Sequence, residues 1–146
     1  MSNKKEHWLQ AVKKIECWFT EMNMNELEHR INNCCEDEDE LQEWFVELDG
    51  QDISLTLVGY FPEIMLQVRS VVDRVSNHKK PDQLYEQLLR LNATDLSGCA
   101  YALEEEDIVV VADQRMHNKG TSEIKHLINM VAGAILIYEQ SLNSKT

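Results

Sequence analysis

The sequence predicts a small α+β fold: a single domain in which an antiparallel sheet carries helices mainly on one face. Three observations lead there. Hydrophobic periodicity alternates along the chain between helical and two-residue spacing, giving the order α-β-β-β-α-β-β-α. An Asp49-Gly50 pair separates two alternating runs, and Asp-Gly tolerates the positive φ angles of a tight hairpin turn. At 146 residues the chain suits one core, because each half alone would bury barely enough surface to offset its chain entropy.

The first helix is expected over residues 4–22, where Trp8, Val12, Ile15, Phe19 and Met22 recur at helical spacing and Leu9, Ala11 and Trp18 widen the apolar stripe. A weaker helical stretch is read over Asn25 to Asn33 from Leu27 and Ile31, followed by an acidic, solvated loop at Glu36 to Glu40. Residues 41–70 then read as a three-stranded meander. Trp44, Val46 and Leu48, then Ile53, Leu55 and Leu57, then Ile64, Leu66 and Val68 mark its inner face. Pro81 suits the first turn of a middle helix over 81–92, in which Leu84, Leu88 and Leu91 share one side with Tyr85 and Leu89 beside them. A second hairpin spans 98–114, with Glu104 to Asp107 at its tip. Its later strand, Ile108 to Val111, is apolar on both sides and so expected to be internal. Gly120, Thr121 and Ser122 provide the cap of a final helix over 121–142, striped by Ile124, Leu127, Ile128, Val131, Ile135, Tyr138 and Leu142. Gly133 is expected to let that helix pack closely.

Charge and composition narrow the function. With 26 acidic against 14 basic residues and a formal charge of -12, the chain lacks the cationic surface that gives affinity for phosphates, so nucleic acid is not an expected partner. Such a charge favours basic partners and solubility. No signal peptide is read at the N-terminus, because Gln10, Lys13, Lys14 and Glu16 interrupt the apolar residues of the first helix. The longest apolar run, Met130 to Tyr138, falls well short of a membrane span. A cytoplasmic protein away from the membrane is expected, with Cys17, Cys34, Cys35 and Cys99 as reduced thiols.

No catalytic motif or cofactor loop is found in the sequence, and the chain is expected not to be an enzyme. Glu26 and His29 have a spacing that would put both on one helical face, but a di-iron bundle needs that pattern twice and further glutamates, so no metal site is assigned. Cys34-Cys35 beside Glu36, Asp37 and Glu38 stands as an alternative metal or thiol site. The neighbouring carboxylates disfavour the reactive thiolate. The acidic run also lacks the spaced oxygens and turning glycine of a calcium loop.

The run Leu88-Leu89-Arg90-Leu91-Asn92 closing the middle helix, the small-residue strand Gly98-Cys99-Ala100-Tyr101-Ala102-Leu103, the acidic turn and Ile108-Val109-Val110-Val111 together resemble the class I type III secretion chaperones and their YbjN-like relatives. The resemblance covers roughly residues 4–142. It implies a non-enzymatic cytosolic protein that pairs as a homodimer and binds an extended segment of a client, or, in the YbjN-like branch, a regulatory protein. It implies a dimer seam on the middle helix at Leu84, Leu88 and Leu91, positions that also suit simple coverage of the sheet. Client contacts map by the same resemblance to the first helix and the outward sheet face, where Phe45, Val58 and Met65 are the apolar residues.

Overall fold

The computed structural model describes residues 2–22, 25–32, 40–48, 50–60, 63–96, 98–116 and 122–142. They form α1 (Ser2–Met22), β1 (Asn25–Asn32), β2 (Glu40–Leu48), β3 (Gln51–Tyr60), β4 (Glu63–Arg74), a 3-10 turn (Val75–Asn77), α2 (Pro81–Thr94), β5 (Ala100–Glu104), β6 (Asp107–Arg115) and α3 (Ser122–Ser141). The strands make one antiparallel sheet in the order β1-β2-β3-β4-β6-β5. This is the α+β single domain expected, with one strand added at an edge.

That added strand is a correction. Residues 25–32 pair with β2 from Asn25 opposite Glu47 to Asn32 opposite Leu41 and are not helical. Leu27 and Ile31 are four apart, a spacing that suits a helix turn, but in the strand the register shifts between Glu26 and Glu28 and leaves Leu27 unpaired at a bulge. The open edge of β2 decides between the two, since backbone pairing there overrides a weak helical preference. The Glu26 and His29 spacing therefore never forms a helical face. Cys34, Cys35 and Glu36 to Asp39 lie outside the described residues, as do Gly120 and Thr121 of the expected α3 cap.

Period-two alternation sorts the sheet into two faces. Trp44, Leu55, Val68 and Ala112 form one cross-strand row on the inner face, and Val46, Ile53, Leu57, Ile64, Leu66, Val110 and Ile108 extend it. All are buried in one cluster with α1 residues Trp8, Ile15, Trp18 and Phe19, α2 residues Leu84 and Leu88, and α3 residues Ile124, Leu127, Val131 and Tyr138. Each such aliphatic or aromatic side chain contributes about 1.5–3 kcal/mol on burial. α3 lies along β6 and β4, α1 against α3, and α2 against β5. Every helix contributes to the inner cluster, and the outer rows of the sheet contribute nothing to it.

Two local devices shape the sheet. The first is a bulge in β4, where the register passes from Val71 opposite Val109 to Asp73 opposite Ile108 with one residue unpaired between them. The extra residue reverses the side-chain alternation and turns Asp73 to the inner face. The second lies at the β5 edge, where the Asn92 side chain of α2 accepts a hydrogen bond from the Tyr101 N–H (2.8 Å) and donates one to the Tyr101 carbonyl (3.1 Å). That contact gives the Leu-Leu-x-x-Asn ending a physical purpose. Gly50 holds φ +80 in the β2–β3 turn, as its Asp-Gly sequence requires. Gly133 departs from expectation: a Cβ placed there would meet nothing within 4 Å, so it does not serve close packing.

Candidate functional site

Two polar features distinguish the sheet's faces. Beneath the bulge, Asp73 Oδ2 accepts hydrogen bonds from Tyr138 Oη (2.5 Å) and pairs with His78 Nε2 (2.8 Å), while Asp73 Oδ1 accepts from Asn77 Nδ2 (2.7 Å) and the Arg74 N–H (2.8 Å). The Asp73 and His78 side chains are 7% and 9% exposed. Burial alone would raise the Asp73 carboxyl, but the bonds from Tyr138, Asn77, His78 and the Arg74 N–H outweigh it and hold the group at about 2. Burial pushes the Tyr138 hydroxyl up, and its bond to Asp73 and that residue's charge push it further. Tyr101 joins the cluster, its ring 5.9 Å from that of Tyr138 and its hydroxyl donating to the Ala134 carbonyl at 2.6 Å. This assembly links the end of β4, the 3-10 turn and α3, and every polar atom named in it has a partner. It reads as a structural clasp.

In the sequence Tyr138 is one member of an apolar stripe, and nothing there joins it to His78, sixty positions away. The bulge that turns Asp73 inward has no signature in the run Ser70-Val71-Val72-Asp73, and only the pairing with β6 reveals it.

The outer face is different. Phe45, Val58 and Met65 are half-buried there, with Val58 directly opposite Met65 on neighbouring strands and Phe45 opposite Ser54. Leu41 extends the Val58 and Met65 row, and Val71, six residues from Met65 toward the other end of β4, is 45% exposed. Val109, on the same face, is fully buried, and the Arg69–Glu104 ion pair spans β6 on that side, from β4 to β5. Between β2, β3 and β4 the face dips into a shallow hollow of about 440 Å³ lined by Phe45, Asp52, Ser54, Arg69 and Val71. Its floor is set by the Gln51 amide, which donates to Ser70 Oγ (2.9 Å) and to the Val71 carbonyl (3.0 Å), and by Ser70 Oγ donating to the Asp52 carbonyl (2.8 Å).

Charge on this face is uneven. Register places Glu43, Glu47, Asp52, Glu63, Glu104, Asp107 and Asp113 on it, against Arg69, Arg74 and Arg115. Each arginine is already matched: Arg69 with Glu104, Arg74 with Asp107 at 3.6 Å and Arg115 with Glu63 at 3.4 Å. Among the described residues Glu43, Glu47, Asp52 and Asp113 have no ion pair, and Glu47 stands directly opposite Asp52.

The three leucines of α2 divide. Leu84 and Leu88 are 2% and 5% exposed in the single chain and Leu91 packs partly against the same core, so these side chains cover the inner face. The exposed leucine of the helix is Leu89, at 68%. Among the described residues no group of histidine, cysteine and carboxylate side chains is placed to hold a metal ion. Cys17 is exposed on α1, away from Cys99, whose thiol burial pushes up. Among the described residues no helix is long and apolar enough to cross a membrane.

No curated protein matches the chain. A family model does. The model of the YbjN family, described as "Putative bacterial sensory transduction regulator", matches residues 13–142, from within α1 to the end of α3. It takes in the clasp, the bulge and the whole outer face, and the chain belongs to the YbjN family.

Proposed function

We propose that this protein is a non-enzymatic regulator that works by holding an extended segment of a partner protein against the outer face of its sheet. The observation behind this reading is the set of apolar side chains on the face that none of the helix core covers: Phe45 and Val71 line the hollow, and Val58 and Met65 form a second apolar pair further along the same face. Apolar groups on a helix-free sheet face are the surface an extended or amphipathic segment can bury. The family description as a sensory transduction regulator supports a regulatory partner over a catalytic substrate. A chaperone-like mode, in which the segment is kept extended until released, uses the same surface. Self-association through α2, as in a homodimer, would draw on Leu89, because Leu84 and Leu88 are occupied within the chain.

The test compares wild-type protein with Val58→Glu/Met65→Glu as bait in a native lysate. A stoichiometric polypeptide retained by the wild type and lost by the variant is the expected result, and light scattering on the recovered complex gives the copy number. Equal retention by both proteins would remove the outer face from the reading.

A further inference from the structure

We infer that the occupant of the outer face is a cationic segment, in which a Lys or Arg lies beside an apolar side chain that seats in the hollow between Phe45 and Val71. The inference deepens the docking reading above and rests on it. Its basis is charge complementarity at one place. Glu47 and Asp52 are direct cross-strand neighbours on the outer face, both exposed, and like charges in that register repel. No cation among the described residues pairs with either. Arg69, the one basic residue lining the hollow, is committed to Glu104 on the far side of β6. The local field at the lip of the hollow is therefore negative and uncompensated, while Phe45 and Val71 give it two apolar walls.

An ammonium or guanidinium brought between Glu47 and Asp52 removes that repulsion. A cation alone would leave the apolar walls wet, and an apolar segment alone would leave the two acidic groups facing each other. A segment carrying both answers each part of the site. In an extended chain, residues two apart face the same side at about 6.6 Å, and Phe45 and Glu47 are themselves two apart on β2. The recognition pattern is then apolar-x-basic. The chain's charge of -12 adds long-range steering of the same sign, so association is expected to weaken with salt.

The experiment uses the full chain and three fluorescein-labelled nine-residue peptides with the same apolar positions, differing only in Lys, Ser or Glu at the position two residues away. Fluorescence anisotropy is read at low and high salt, for wild type, Glu47→Gln/Asp52→Asn, Phe45→Ala, and the charge-matched control Glu16→Gln/Glu139→Gln on exposed helix surface. Expected is at least tenfold tighter binding of the Lys peptide than of the Ser peptide. That preference is lost in Glu47→Gln/Asp52→Asn and kept in the control, and Phe45→Ala weakens the Lys and Ser peptides alike. Three outcomes overturn the inference. If the Ser or Glu peptide binds as tightly as the Lys peptide and Phe45→Ala weakens both, docking on this face stands and its cationic specificity falls. If the Lys peptide binds every variant equally, or spermidine displaces it at the same charge concentration, the chain is acting as a diffuse polyanion and the hollow plays no part. If no peptide binds, the docking reading falls together with the inference.

Discussion

Along β4, Ile64, Leu66 and Val68 face the helices and are buried, while Met65, Gln67 and Arg69 alternate with them and remain half-exposed. The same contrast holds for polar groups. Asp73, on the inner side of the bulge, has four hydrogen-bonding partners, whereas Asp52, on the outer side near the same end of the sheet, has no ion pair among the described residues and faces Glu47. One strand thus serves two surfaces under different rules. The inner surface is closed by packing and, at Asp73, by a full set of hydrogen bonds, and the outer one keeps half-exposed apolar groups and charge that the chain itself does not pair. A polar residue that is fully partnered contributes to stability, and one left facing a like charge is better explained by something that binds there.

The widest separation between the faces should appear on truncation. Leu66→Ala is expected to cost about 2–5 kcal/mol, because it opens a cavity in the inner cluster. Met65→Ala, one residue earlier and facing outward, should cost less than about 1 kcal/mol. Urea unfolding of the two variants measures the difference, and a comparable loss for Met65→Ala would mean that the outer face is packed.

Acid titration sharpens the comparison at a smaller scale. The Asp73 carboxyl falls from an ordinary 3.8 to about 2 in the folded chain, so the folded state favours its charged form. The stability this provides is fully present above about pH 4 and is lost as the pH falls toward 2, amounting to about 2 kcal/mol at neutral pH. Asp73→Asn should be less stable than wild type by about that amount at pH 7, and the gap should close as both are unfolded in urea at progressively lower pH. A gap that stays constant down to pH 2 would show that Asp73 acts through shape alone.

The smallest effect is expected outside both faces. Gly133 lies within α3 with open space where a side chain would go, so Gly133→Ala should stabilise the fold by about 0.5–1 kcal/mol through helix propensity. A rise in thermal midpoint with unchanged partner binding would place this position outside the functional surface. A loss of binding would extend that surface onto α3.

The legibility of these features in the sequence follows how local each one is. The inner face was readable because Trp44, Val46, Ile53, Leu55 and Leu57 alternate strictly on both sides of the Asp49-Gly50 turn. β1 is not legible because Leu27 and Ile31 share a helical spacing, whereas the strand absorbs Leu27 in a bulge and pairs with an edge that lies further along the chain. Phe45, Val58 and Met65 can be assigned to an outward face from alternation alone, but the hollow beside Phe45 cannot. Gln51 reaching Ser70 and Ser70 reaching the Asp52 carbonyl border it, contacts that join residues nearly twenty positions apart. Likewise the clasp joins Asp73 to Tyr138 across 65 positions.

Asn92 carries one more consequence. An edge strand ordinarily invites a neighbour, since its outward N–H and C=O groups are the template on which another strand can be laid down. By offering Tyr101 one donor and one acceptor from a single amide, Asn92 imitates a single residue of the absent strand and occupies the place where it would begin. At Tyr101 the sheet is terminated from within, so a visiting chain is turned away from the border there and toward the broad outward surface.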